Sequence, residues 1–154
     1  MDIGTENGYP EASLSNFHAH EFEIDGVTCA SMEGFLQSLK FSNPEMQVEV
    51  CKLTGKAAKL KGKNKKWFRT QTLYWQGKEY KRDSEDYQKL LNRAYTNLAK
   101  NAHFQKALLD SGNATLTHSI GKRKMNETIL TTQEFCSRLT KIRTMLQNKQ
   151  EVIL

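Results

Sequence analysis

Residues 87–98 carry the pattern that most limits what this chain can become. Tyr87, Leu90, Leu91, Ala94, Tyr95 and Leu98 recur at spacings of three and four, which predicts a helix with one apolar stripe, opened by Asp83-Ser84-Glu85-Asp86. Elsewhere apolar residues also follow periods, and the longest uninterrupted apolar run is only a few residues. A membrane-spanning helix needs about 20, so no membrane partner is expected. The N-terminal stretch lacks the basic and apolar regions of a secretory leader, which makes the cytoplasm the expected compartment. A length of 154 residues suits one domain, 1–154, with 1–13 and 147–154 as flexible ends.

Short elements surround that helix. Alternating residues on both sides of Asp25-Gly26 predict a hairpin over 21–30. A second hairpin is predicted over Thr70–Lys81, rich in strand formers around Gln76-Gly77. Met32, Phe35, Leu36 and Leu39 predict a helix over 32–41, with Ser31 as N-cap and Asn43-Pro44 as its end. Further helices are predicted over 45–53, over 55–63 and around Phe104, Leu108 and Leu109, the last ended by Gly112. Thr131 or Thr132 caps a final helix carrying Phe135, Leu139, Ile142, Met145 and Leu146. Residues 1–15 read as irregular and 113–130 as mixed. The fold class is therefore α+β, predominantly helical, a single compact domain with small β-hairpins.

Charge is strongly segregated. Residues 1–51 hold nine acids and one base, whereas 52–82 hold eleven bases and one acid. The net +6 of the chain thus resides in its middle and C-terminal parts. Trp67, Phe68, Tyr74, Trp75 and Tyr80 are interleaved with those cations, a composition suited to phosphates and stacked bases. The bland alternative is a solvated helix face beside core aromatics.

Few residues offer chemistry. His18 and His20 form a possible metal pair without a third ligand nearby, so no metal and no cofactor are expected. His103 and His118 are isolated. Three widely spaced cysteines make neither a disulfide framework nor a zinc site. Glu33 is the most informative carboxylate. Gln37 lies one turn and Lys40 two turns further along the same helix face. The bland reading of Glu33 is a first-turn acid that favours the helix dipole.

At these residues the chain resembles the YbiA-like, or NADAR, family. The similarity runs through Leu14-Ser15-Asn16-Phe17, Phe22, Asp25-Gly26, Ser31, Glu33, Gln37 and Lys40-Phe41. It continues in 58–63, in 101–116 and in Leu139–Arg143, and so covers about residues 14–143. The resemblance implies a compact, mainly helical α+β fold. It implies an N-glycosidase acting on an ADP-ribosyl or related ribosyl-nucleotide compound. Some members are associated with removal of ADP-ribose from guanine, so ADP-ribosylated DNA or RNA is an implied partner. The alternative is a non-catalytic module that binds ADP-ribose, NAD or nucleic acid.

The resemblance makes Glu33 the catalytic carboxylate. It makes Asn16, Phe17, Gln37, Lys40, Lys59, Gly62, Lys63 and Trp75 the substrate-binding residues, with Trp67 as rival to Trp75 for a stacking ring. Two departures stand out. Gly34 follows the glutamate where the family carries His or Asn, which removes a side chain from the expected site wall or admits a bulkier substrate. The family's late Asp and Trp-Gly segment has no counterpart in 118–127, where His118 or Glu127 is the candidate substitute.

Overall fold

The structure is a computed structural model that describes residues 1–153, with side chains through Gln150. The predicted elements are present with small shifts in their ends. The first hairpin pairs β1 (Phe22–Ile24) with β2 (Val27–Cys29), Phe22 opposite Cys29. Asp25 and Gly26 both take positive φ, the backbone that a tight two-residue hairpin turn requires. Phe22, Ile24, Val27 and Cys29 face inward, and Glu23 and Thr28 face solvent. The second hairpin, β3 (Thr72–Trp75) and β4 (Lys78–Lys81), uses the same turn at Gln76-Gly77.

Seven α-helices pack around these hairpins among the described residues. They are α1 (Glu11–Leu14), α2 (Met32–Ser38), α3 (Pro44–Cys51), α4 (Gly55–Gly62), α5 (Glu85–Leu98), α6 (Ala102–Asp110) and α7 (Thr132–Ile153). The α5 stripe from Tyr87 to Leu98 is buried in full, as its period predicts. The lead-in is less irregular than its composition suggests. It holds α1, and Asp2 makes a parallel bridge with Thr117. None of the described helices is long and apolar enough to cross a membrane.

Helix α2 stops at Ser38 rather than 41 for a traceable reason. The buried Gln47 amide nitrogen of α3 lies on the carbonyls of Ser38 (3.2 Å), Phe41 (2.9 Å) and Tyr74 (2.8 Å). Gln47 Oε1 accepts from the Gln76 N–H at 3.1 Å. One side chain thus satisfies the end of α2 and ties it to the second hairpin. Asp25 does the same for the first turn, accepting from the Trp75 indole N–H (2.8 Å) and from Arg93 of α5 (2.7 and 2.9 Å).

The loop before α7 is tied down by a buried cluster. Thr131 and Glu134 cap α7 reciprocally: Thr131 Oγ1 accepts from Glu134 N (3.1 Å), and Glu134 Oε1 accepts from Thr131 N (2.7 Å). Arg82, at the end of β4, pairs with both Glu134 oxygens and donates from Nε to Thr128 O at 2.8 Å. The Tyr87 hydroxyl donates to Ile129 O at 2.7 Å. These bonds hold 128–131 against the body, where it forms one wall of a cavity.

Candidate active site

Glu33 occupies the first turn of α2 because Ser31 caps that helix, accepting from Gly34 N at 3.0 Å. The Ser31 hydroxyl also donates to Leu53 O at 2.9 Å, which brings the chain after α3 onto the start of α2. Gly34 answers that approach. A Cβ there would lie 2.6 Å from Leu53 O. Glycine at 34 is thus a packing requirement against the 50–53 backbone, and the expectation that it opens the site wall is corrected.

The Glu33 side chain enters a cavity of about 310 Å³ between α2, α4 and the loops 118–122 and 127–131. Its Oε1 accepts from Gln37 Nε2 at 2.8 Å. Its backbone N–H donates to Asn16 O at 2.9 Å, and Asn16 Oδ1 accepts from the buried Tyr95 hydroxyl at 2.8 Å. The central helix α5 therefore sets the position of Asn16, and Asn16 that of Glu33. Burial pushes the Glu33 carboxyl up, while the Gln37 bond and the charges of Lys40 and Lys59 pull against it. Burial also lowers the Lys40 ammonium; Glu33 opposes this, while Lys122 and Lys59 add to it.

Asn16, Phe17, Glu33, Gln37, Lys40 and Lys59 all line this cavity. The Lys59 ammonium lies over the Phe17 ring at 5.9 Å. Gly62 stands behind the wall, against Gln37 and Lys40. Lys63 is exposed and outside the cavity. Trp75 is not in the cavity either. It packs edge-to-face on Phe35 at 5.0 Å in the core, with its N–H spent on Asp25. Trp67 lines the cavity in its place.

Two contributors escaped the sequence reading: Lys122, in a stretch without period, and Phe135, which the period of α7 assigns to the core. His118, a candidate substitute from the sequence, lines the cavity with them. His18 and His20 stack at 4.3 Å, with His20 Nε2 on Ser13 O at 2.7 Å. Among the described residues no group of three or more His, Cys, Asp or Glu gathers where a metal could bind.

The cavity thus opposes the half-buried Glu33 carboxylate to several ammonium groups, with aromatic walls and a side-chain amide. Such an arrangement places negative charge where a cation develops and positive charge where an anion binds.

Comparison with known proteins bears on the family and the fold. The family described as bacteriophage protein GP30.3, which groups with the NADAR and YbiA-like families, matches residues 8–144. A 17.1 kDa protein from the Gp30–rIII intergenic region of Enterobacteria phage T4 is 35% identical over 151 residues, covering 95% of this chain and 98% of its own. The NMR structure of the E. coli protein YbiA is similar over 97% of this chain and 86% of that one, with a TM-score of 0.62 at 15% identity. At that identity the likeness shows a YbiA-like fold.

Proposed function

This chain belongs to the bacteriophage protein GP30.3 family, and from that premise we propose that it is a hydrolase of the N-glycosidic bond in an ADP-ribosyl or related ribosyl-nucleotide compound. The observation that carries the reading is the Glu33 carboxylate, half-buried in the cavity wall, held by Gln37 and facing the charges of Lys40 and Lys59.

Cleavage of a ribosyl C1′–N bond builds positive charge on C1′ and the ring oxygen. A carboxylate already fixed beside that carbon stabilises the charge without reorganising, and does so strongly where water is excluded. Lys40, Lys59 and Lys122 suit the diphosphate of the same molecule, and Trp67 or Phe17 suits the flat face of a base. The cavity volume falls at the lower end of the usual range for small-molecule sites, about 300–1,000 Å³.

A nucleic-acid-linked substrate is favoured over a free metabolite by the rim. Lys61, Lys63, Lys65, Lys66 and Arg69, which follow the cavity-lining Lys59 and flank Trp67 in sequence, are all exposed, as are Lys122, Arg123 and Lys124. A phosphate backbone fits such a rim. The non-catalytic alternative has one observation in its favour. Among the described residues, the second carboxylate on the cavity wall, Glu127, is exposed.

The test is incubation with an oligonucleotide carrying ADP-ribosylated guanine, following free ADP-ribose. Release by wild type and its loss in Glu33→Gln support hydrolysis. Binding of ADP-ribose without release by either protein would favour the binding module.

A further inference from the structure

His118 is held more firmly than an irregular loop requires. Its neighbours lie beside the N-terminus: Ile3 N donates to Thr117 O (2.8 Å) and Thr117 N to Met1 O (2.9 Å). The Asp2 carboxylate accepts from Ser119 N (2.8 Å) and Ser119 Oγ (2.6 Å). The His118 carbonyl accepts from Gly121 N at 3.0 Å and Thr132 Oγ1 at 3.3 Å.

The ring is fixed as well. Its Nδ1 lies 2.8 Å from Ile3 O. A carbonyl only accepts, so Nδ1 carries the proton and Nε2 of the neutral ring is the acceptor. Nε2 has no hydrogen-bond partner among the described residues. The ring stands edge-to-face on Phe135 at 5.3 Å. Its Cδ2 edge is pressed on Gly121, where a Cβ would lie 2.5 Å away. The same imidazole lines the cavity with Glu33. Glu127, on the same wall, is exposed and its carboxylate accepts no hydrogen bond among the described residues.

We propose that His118 Nε2 is the proton acceptor for the attacking water in this cavity, an assignment that rests on the ribosyl-hydrolase reading. Water oxygen bonds to C1′ as the C1′–N bond breaks, and that bond's electron pair leaves with the nitrogen. The water proton passes to Nε2. The imidazolium then returns it to the departing nitrogen, so His118 ends as it began. Glu33 balances the charge on C1′ throughout. The charged groups around the ring are Glu33 of α2, Asp2 of the N-terminus and Lys122 of its own loop, with Lys40 and Lys59 across the cavity.

The experiment uses His118→Asn, His118→Ala and Glu33→Gln on the same oligonucleotide, with ADP-ribose affinity measured separately by calorimetry. Asparagine retains a short N–H donor toward Ile3 O and removes Nε2. His118→Asn is expected to lower kcat by about 10²- to 10⁴-fold, the usual contribution of a positioned acid or base, with ADP-ribose affinity and Tm near wild type. Added imidazole is expected to restore part of the His118→Ala rate. Wild-type kcat in His118→Asn overturns the assignment. So does a loss that tracks ADP-ribose affinity and resists imidazole. If His118→Asn is active and Glu33→Gln is not, only the His118 role falls. A wild type that binds ADP-ribose and releases none overturns the hydrolase reading and this assignment together.

Discussion

Gly62 of α4 and Gln37 of α2 are in contact so close that a Cβ on residue 62 would lie 2.0 Å from Gln37 Oε1. That oxygen is buried and accepts no hydrogen bond, so the amide is placed by shape and by its bond to Glu33. Gly62→Ala must push the Gln37 side chain, the more flexible partner, off its carboxylate. Loss of a hydrogen bond to a charged group is worth about 1.5–3 kcal/mol, so kcat is expected to fall by about tenfold or more. The Glu33 carboxyl, which the Gln37 bond draws down, should rise further. Titration of that carboxyl by NMR in Gly62→Ala checks this. An unchanged titration with unchanged kcat would falsify the positioning role of Gly62.

Glu33 should also weaken the fold it serves. Burial lifts its carboxyl above the ordinary 4.5, so the folded chain holds that proton more tightly than the unfolded chain. Stability then falls as pH rises from 4.5 through the higher folded value. Glu33→Gln removes the charge and is expected to raise Tm at pH 7, by about 2–4 °C for each kcal/mol recovered in a chain of this size. The gain should vanish below pH 4.5, where both states carry a neutral group. Thermal melts of both proteins at pH 4 and pH 7 decide it. An equal difference at the two values means that burial of the charge is not the cause.

What could be read beforehand follows from range of contact. The α5 stripe, both turn dipeptides and the Glu33–Gln37–Lys40 face were legible because each depends on residues within one element. Gly34 was misread because its constraint is the Leu53 carbonyl, supplied from the chain after α3. Strand alternation separates Tyr74 from Trp75 but does not say which ring meets Phe35 across the core. His118 lies in a stretch without period, and its partner Ile3 is 115 positions away. The same holds for Lys122, whose carbonyl is held by the Thr132 N–H at 3.0 Å, ten positions further along the chain.

The two tryptophans should separate under substitution. Trp67 lines the cavity, and Trp75 spends its N–H on Asp25 inside the core. Trp67→Leu is expected to weaken ADP-ribose binding about tenfold, within the range of about 1–3 kcal/mol for stacking on a base. Trp75→Phe should leave affinity intact and lower stability by about 1–3 kcal/mol, through the unpaired Asp25 contact and lost volume. Calorimetry and urea unfolding on both variants provide the check. Weakened binding in Trp75→Phe at full stability would reverse the assignment.

The buried Arg82–Glu134 pair controls the last cavity wall. Burial alone would lift the Glu134 carboxyl, but Arg82, the Thr131 N–H and the Gln88 amide together hold it below the usual carboxylate range. Its stabilising contribution is therefore complete at neutral pH. It is lost as pH falls from the ordinary 4.5 through the lower folded value. Arg82→Met leaves Glu134 charged and buried, and is expected to destabilise by about 3–5 kcal/mol. Arg82→Met with Glu134→Leu leaves no stranded charge and should recover part of that loss, while the capping of α7 stays broken. Both variants also release Thr128 O from Arg82 Nε, so KM is expected to rise in each as the 128–131 wall loosens. The double variant should lack the acid-dependent loss of stability attributed to Glu134. Urea unfolding between pH 3 and pH 7 measures both effects, and a double variant no more stable than Arg82→Met would show that the pair does not act through charge.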